Sequence, residues 1–123
     1  MEVILDTNFI ISCILKKIDF LAQLEEQGFK VVVPREVIQE LKDLRLNNKT
    51  SRGERSAIDV ALEMFSSKRI KKISFGQGKV DEQLIKKGKE GVYIASLDRE
   101  IKRQVPNRIV IFDAKKGIGI EEG

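Results

Sequence analysis

The sequence contains no histidine, no tryptophan and a single cysteine among its 123 residues. Without histidine, the chain has no Ser-His-Asp triad, no histidine general base and no histidine-ligated zinc. Because Cys13 is the only cysteine, no intramolecular disulfide can form, which suits a reducing, cytoplasmic setting. Cys13 lies in an apolar run, so we expect it to be a small core residue.

Long apolar runs are also missing. No uncharged stretch approaches the ~20 residues that a membrane-spanning helix needs, so we expect no membrane-spanning segment. Aromatic residues make up only 6% of the chain. The core must therefore consist mostly of Ile, Val and Leu, which favours a buried parallel sheet. Few aromatic side chains remain to stack on nucleic-acid bases, so contact with a nucleic-acid backbone is the better expectation.

The charge balance is 23 basic against 19 acidic residues, a formal net charge of +4. An ordinary solvated surface accounts for such a balance. If the acidic residues gather at one site, however, the remaining surface is more basic and attracts polyanions. Short basic clusters lie at 68–72 and 86–89. The basic residues that we expect to flank a phosphate backbone are Lys49, Arg52, Arg55, Arg99, Lys102 and Arg103.

Short β-branched runs alternate with helical patterns along the chain. The predicted strands are 2–5, 30–33, 70–75, 92–95 and 109–112, and the predicted helices are 7–15, 18–27, 35–44, 56–65, 81–87 and 98–104. The polar stretch 45–55 is predicted as a loop. This alternation predicts an α/β fold, a three-layer α/β/α sandwich around a mainly parallel five-stranded sheet. We expect one domain over residues 1–113 and a C-terminal tail, 114–123, that frays.

Four acidic residues stand where the predicted chain turns back on itself: Asp6, Glu40, Asp81 and Asp98. Right-handed crossovers place the carboxyl ends of parallel strands at one edge of the sheet, where ligands bind in such folds. Four carboxylates at one place repel each other unless a cation joins them, and oxygen ligands suit Mg²⁺ or Mn²⁺. The pattern therefore indicates metal-assisted phosphate chemistry.

Each of these acidic residues also has a purely structural explanation. Asp6, Asp81 and Asp98 can cap the helices that they precede or open. Glu40 borders the apolar stripe of its helix, where it can pair with Arg35 or Arg45 instead of a metal ion. Other phosphate-binding motifs fail, because Gly76-Gln77-Gly78-Lys79 lacks the spacing of a Walker A loop.

Four short motifs in order resemble the PIN-domain nuclease family. They are Leu5-Asp6-Thr7-Asn8 after the first strand, Val37-Ile38-Gln39-Glu40-Leu41 in a helix, Asp81-Glu82-Gln83-Leu84-Ile85 at a helix start, and Tyr93-Ile94-Ala95-Ser96-Leu97-Asp98-Arg99-Glu100. The resemblance extends from Met1 to about Phe112. Ser96 stands where Thr is commoner in the family, and either Asp81 or Glu82 could be the third acid, of which Asp81 fits better.

The resemblance implies a Mg²⁺- or Mn²⁺-dependent endoribonuclease that cuts a phosphodiester and leaves a 5′-phosphate. Asp6, Glu40, Asp81 and Asp98 would be the catalytic residues and would bind one or two metal ions, with Asn8 and Ser96 as supporting polar groups. RNA would be the substrate. Two roles fit a chain of this kind, ribosomal-RNA processing and the toxin of a toxin–antitoxin pair. The partner would then be a ribosome precursor or an antitoxin protein, and the resemblance also implies dimerisation. The alternative is a non-catalytic PIN module that binds RNA or protein.

Overall fold

The computed structural model describes residues 1–67 and 69–123, so Lys68 of the predicted basic cluster lies outside the described residues. Its strands form one six-stranded sheet in the order β3-β2-β1-β4-β5-β6. The first five strands are parallel, and β6 runs antiparallel to β5. Their bounds are Glu2–Leu5 (β1), Lys30–Pro34 (β2), Lys71–Ile73 (β3), Tyr93–Ala95 (β4), Asn107–Phe112 (β5) and Gly117–Glu122 (β6).

Six α-helices connect the strands. Their bounds are Thr7–Leu15 (α1), Phe20–Glu26 (α2), Arg35–Leu46 (α3), Arg52–Phe65 (α4), Val80–Lys89 (α5) and Arg99–Gln104 (α6). Aspartates begin three of them. Asp6, Asp19 and Asp98 accept hydrogen bonds from first-turn amides of α1, α2 and α6. These side chains satisfy N–H groups that a helix leaves without an intrahelical partner.

Apolar side chains cover both faces of the sheet, which confirms the predicted three-layer sandwich. Because side chains alternate along a strand, Val3 and Leu5 of β1 face one way and Ile4 the other. Val3 and Leu5 belong to the larger core, which α1, α2, α3 and α4 cover. Ile4 belongs to a smaller core with Leu84 of α5 and Ile101 of α6. Cys13 is fully buried, as predicted, and burial raises the pKa of its thiol to about 12.

The predicted fraying tail is wrong, because residues 117–122 form the sixth strand. The sequence Gly-Ile-Gly-Ile-Glu-Glu has a low β-propensity, yet β6 pairs with β5 over its whole length. Ile118 packs into the larger core. Gly119 lies under the Phe112 ring, where a Cβ atom would be 2.0 Å from the nearest ring carbon. Tertiary contacts with β5 therefore determine this strand, and the sheet has six strands instead of five.

Several helix boundaries also differ from the predictions. The stretch predicted as a loop, 45–55, is helical at both ends, because α3 continues to Leu46 and α4 already begins at Arg52. Ser51 and Glu54 form a capping box at the start of α4, a signature present in the sequence. Helix α5 continues through Gly88 to Lys89. Gly88 allows Val105 to approach closely, since a Cβ atom would lie 2.2 Å from a Val105 methyl carbon.

Among the helices of the described residues, none has the length and apolar character to cross a membrane.

Candidate active site

The order of the strands reverses between β1 and β4, which lie side by side in the centre of the sheet. In open α/β sheets, such a reversal opens a crevice at the carboxyl ends of the strands, and ligands bind there. Asp6 directly follows β1, and Ser96 directly follows β4. The Asp6 amide donates a hydrogen bond to the Ala95 carbonyl at 2.9 Å, which fixes the two strand ends relative to each other.

Asp6 is partly buried at the base of this crevice. One carboxylate oxygen accepts the Thr7 amide at 2.8 Å, and the other accepts the Ser96 hydroxyl at 2.8 Å. Burial raises the pKa of Asp6, the two hydrogen bonds lower it, and the charges of Asp81 and Asp98 raise it again. The net pKa is above its ordinary value. The Asp6 carboxylate is thus held in place by neutral donors and faces other acids.

Glu40 reaches the same region from α3. The residue is exposed as a whole, yet enough protein surrounds its carboxyl group for burial to be the largest cause of its raised pKa. The Thr7 hydroxyl lowers the pKa of Glu40, whereas the charges of Asp6, Asp81 and Asp43 raise it. Neither Arg35 nor Arg45 pairs with Glu40, since Arg45 binds Asp59 instead. The ion-pair explanation of Glu40 is therefore wrong for these two partners.

Asp81 lies in the first turn of α5, but it is not the cap of this helix. The N-cap residue is Lys79, which makes no side-chain capping hydrogen bond. The Asp81 side chain is exposed, and its charge acts on both Asp6 and Glu40. Glu82, the competing residue, is not among the charges that shift either pKa. The structure thus brings Asp81 toward the other acids.

Asp98 has a clear structural role as the N-cap of α6. Its carboxylate accepts hydrogen bonds from the amides of Glu100 at 2.8 Å and Ile101 at 3.4 Å. Its own amide donates to the Ser96 hydroxyl at 3.1 Å. Ser96 is almost fully buried and therefore links Asp98 to Asp6 through one hydroxyl group. Capping leaves the second carboxylate oxygen of Asp98 without a hydrogen bond among the described residues.

The acidic side chains are electrostatic neighbours, but they do not form a closed ligand cage. Within residues 1–67 and 69–123, no three acidic or cysteine side chains are grouped tightly enough to hold a metal ion as they stand. The donor set nonetheless fits a hard cation. All the donors are oxygens, and within the described residues the buried Thr7 hydroxyl beside Glu40 makes no hydrogen bond of good geometry. Few protein ligands and an open approach suit Mg²⁺ or Mn²⁺, which keep several waters.

The other residues predicted for the site are more scattered. Asn8 is exposed on α1, and its side chain makes no hydrogen bond within the described chain. Arg55 donates to the Asn47 carbonyl at 3.0 Å, and Arg103 pairs with Glu100 at 2.6 Å. The remaining predicted RNA contacts lie in the loop before α4, in its first turn, and on α6: Lys49, Arg52, Arg99 and Lys102. Their role in RNA binding stays a prediction.

Sequence reasoning missed two side chains that shape this site. Thr7, which belongs to the first motif but was not predicted as a site residue, is buried and acts on Glu40. Glu36 of α3 accepts a hydrogen bond from the Phe75 amide at 2.9 Å. This bond attaches α3 to the loop before α5, and α5 carries Asp81. Glu36 precedes Glu40 by four residues, so both lie on one helix face. That spacing was visible in the sequence, but the contact with Phe75 was not.

Comparison with known proteins agrees with this architecture. The PIN-like domain family matches residues 3–112 of the chain. The solved structure of the PIN domain endonuclease Utp24 is similar over 99% of this chain and 92% of its own, with a TM-score of 0.77 and 19% identity. The PIN domain of human SMG5 is less similar, with a TM-score of 0.47 and 19% identity over 80% of this chain and 83% of its own. No curated protein matches the sequence.

The family match and the fold thus define a nuclease-type PIN fold. The chain belongs to the PIN-like domain family, which confirms the resemblance drawn from its four motifs. PIN domains are generally nucleases that bind RNA, and PIN nucleases generally use divalent metal ions.

Proposed function

We propose that this chain is a metal-dependent endoribonuclease that hydrolyses RNA phosphodiester bonds. The observation that supports this proposal is the convergence of acidic side chains without a compensating cation. The charges that shift the pKa of Asp6 come from Asp81 and Asp98, and those that shift the pKa of Glu40 come from Asp6, Asp81 and Asp43. All are acidic. Such a concentration of negative charge is unfavourable for folding unless a ligand offsets it.

A divalent cation, Mg²⁺ or Mn²⁺ in one or two copies, would offset this charge. Its ligands would be Asp6, Glu40, Asp81 and Asp98. When bound, such an ion lowers the pKa of a coordinated water and neutralises charge on a phosphate undergoing attack. The chain's own contribution is to hold the ligands. The Ser96 hydroxyl orients Asp6 and at the same time accepts the Asp98 amide.

The supporting groups explain why the site can remain negatively charged until it is filled. Asp6 receives one hydrogen bond from an amide and one from a hydroxyl, which fix its carboxylate without neutralising it. Asp81 and Glu40 are exposed enough to approach a cation from solvent. Hydrolysis at such a site would leave a 5′-phosphate. The non-catalytic alternative, an RNA- or protein-binding module, would not require these acids to converge.

Two biological settings share this chemistry and differ in the partner. As an RNA-processing enzyme, the chain would act on a ribosome precursor. As a toxin, it would bind an antitoxin protein whose reading frame lies beside its own. We place either activity in the cytoplasm and propose a homodimer as the assembly. A gene for a small antitoxin next to this one would favour the toxin.

The test is RNA cleavage by the purified protein with Mg²⁺, with Mn²⁺ and with EDTA, on one structured and one unstructured RNA. We expect cleavage with a divalent metal and none with EDTA. Asp98→Asn should lose at least about tenfold in rate while keeping the helix cap, because Asn is also a good N-cap residue. Asp113→Asn is the matched control, since Asp113 is an exposed acid in the turn between β5 and β6.

Equal cleavage by the wild type and by Asp98→Asn would indicate a contaminating nuclease. If neither protein cuts but both bind RNA, the chain is a binding module and the catalytic proposal is wrong.

A further inference from the structure

A polar cavity lies on α3, on a different face from that of Glu40. It has a volume of about 300 Å³, and its lining contains no acidic residue: Arg35, Ile38, Gln39, Lys42 and Lys72. Since each water occupies ~30 Å³ in the liquid, the cavity has room for roughly ten waters or a hydrated ionic group. Three of its five lining side chains are cations.

These cations are not neutralised by the protein. Within the described part of the chain, no carboxylate lies within salt-bridge distance of Arg35, Lys42 or Lys72. Lys72 is held by the Ser67 carbonyl at 3.5 Å, a neutral acceptor. Asp43, which does not line the cavity, accepts a hydrogen bond from the Gln39 side-chain amide at 2.9 Å. By contrast, Lys71, the neighbour of Lys72 in the sequence, pairs with Glu2.

We infer that this cavity binds a backbone phosphate of the RNA, separately from the carboxylate site. The inference deepens the proposed function and rests on it for the identity of the ligand. A guanidinium and two ammonium groups around one concave space match a phosphodiester, which is anionic and carries acceptor oxygens only. No aromatic residue lines the cavity, so it would read the backbone and not the bases.

The position of the cavity relative to the acids supports a shared ligand. Gln39 lines the cavity, and Glu40 follows it on the same helix. Arg35, Gln39 and Lys42 are spaced by four and three residues, so they form one stripe of α3, whereas Glu40 points about 100° further round the helix than Gln39. A strand of RNA bound across this helix would place one phosphate in the cavity and another at the carboxylates, and the cations would offset part of the repulsion between the acids and the RNA.

Another cavity, of about 530 Å³, lies between β3 and α5 and also contains two lysines, Lys86 and Lys87. Glu90 lines it as well. A carboxylate in the lining disfavours phosphate, so the proposal is limited to the cavity on α3. The basic residues that we predicted for RNA binding, such as Arg99 and Lys102, lie elsewhere, on α6.

The test is the affinity for a fluorescently labelled single-stranded RNA of about 20 nucleotides in EDTA, measured by anisotropy over a range of salt concentrations. The variant is Arg35→Glu with Lys42→Glu. The control is Lys115→Glu with Lys116→Glu, two exposed lysines at the opposite edge of the sheet, beside β6. Each reversal removes two units of charge, so both variants move the formal net charge from +4 to zero.

We expect the cavity variant to weaken RNA binding at least about tenfold and the control about threefold at most. Loss of this phosphate contact should also lower the slope of log K against log salt by roughly 0.7 for a single strand. The neutral variant, Arg35→Gln with Lys42→Gln, should show a smaller loss of RNA affinity. Because it introduces no new charge, it also tests whether the charge-reversal variant loses affinity only by misfolding. Circular dichroism checks the fold of each variant.

Equal weakening by the cavity variant and the control would overturn the inference, because net charge alone would then explain it. A wild type that does not bind RNA at low salt would overturn it too. Cleavage is measured separately. If RNA is bound through the cavity but never cut, the proposed nuclease activity is wrong and the phosphate site stands. If RNA is cut but both variants bind alike, the phosphate site is wrong and the nuclease stands.

Discussion

Acidic residues behave in opposite ways in two regions of this molecule. On the outer surface, Asp59 is next to Arg45 and Glu2 is next to Lys71, and a side-chain hydrogen bond from the cation lowers the pKa of each acid. At the carboxyl edge of the sheet, burial raises the pKa of Asp6 and of Glu40, and other acids add to the rise. The same residue types therefore form ion pairs in one region, whereas in the other no such pair forms among the described residues.

This difference separates charges that serve solubility from charges that serve binding. An exposed ion pair contributes little to stability, because water already solvates both partners. A concentration of unpaired carboxylates, in contrast, is unfavourable in the folded protein and becomes favourable when a cation binds. The comparison gives matched pairs of variants, since Asp6 can be tested against Asp59 and Glu40 against Glu2.

The largest expected effect is on catalysis. Asp6→Asn should reduce RNA cleavage at least about a hundredfold, because it removes a charged oxygen donor from the site of the metal-assisted reaction. Asp59→Asn makes the same chemical change at an exposed ion pair and should leave the rate within about twofold of wild type. Initial rates with Mn²⁺ measure both. A fully active, folded Asp6→Asn protein would remove the distinction between the two regions and contradict the assigned site.

The next effect is on metal-dependent stability. A ligand that binds only the folded state raises its stability by about 1.4 kcal/mol at ten times its Kd, which is roughly 5 °C in Tm for a domain of this size. Wild type should show such a rise on addition of Mn²⁺, whereas Glu40→Gln should lose most of it. Glu2→Gln should keep it. Thermal unfolding with and without Mn²⁺ measures the three proteins, and an equal rise in all of them would place the bound metal elsewhere.

Much of the fold was predictable because its local signals agree with its tertiary structure. The run Glu2–Leu5 is a strand and Thr7–Leu15 is a helix, each with the bounds that the pattern predicts. The sixth strand was not predictable in this way. Gly117–Glu122 has two glycines and two glutamates, and only its pairing with β5 and the burial of Ile118 make it a strand. Such contacts override a weak local preference.

The candidate site also has features that the sequence predicts and features that it does not. The strand ends that carry Asp6 and Ser96 were visible in the sequence, because each follows an apolar run that topology brings to one edge. The hydrogen bond between them joins residues 90 positions apart and could not be read from spacing. The stripe of Arg35, Gln39 and Lys42 has helical periodicity, but Lys72 completes the cavity from β3. Helical periodicity in the sequence shows which residues share a face of one helix, but it does not show which other element packs beside that face.

The smallest expected effect is the response of the metal-free protein to pH, and it has opposite signs in the two regions. For Glu40, whose pKa is raised above its ordinary value, the folded state loses stability as pH rises through that raised pKa. The acids that act on it are Asp6 and Asp81 across the crevice and Asp43 on α3. Glu40→Gln should therefore have a slightly higher Tm than wild type at neutral pH and an equal one at low pH, where Glu40 is protonated.

Glu2 provides the opposite case. Its pKa is lowered by Lys71, so its contribution is present above the unfolded pKa and is lost as pH falls through the folded one. Glu2→Gln should have a slightly lower Tm than wild type at neutral pH and an equal one in acid. Thermal unfolding in EDTA from acidic to neutral pH measures both differences. If Glu40→Gln were less stable than wild type at neutral pH, Glu40 would be a stabilising surface charge like Glu2, and the acids at the sheet edge would not need a cation.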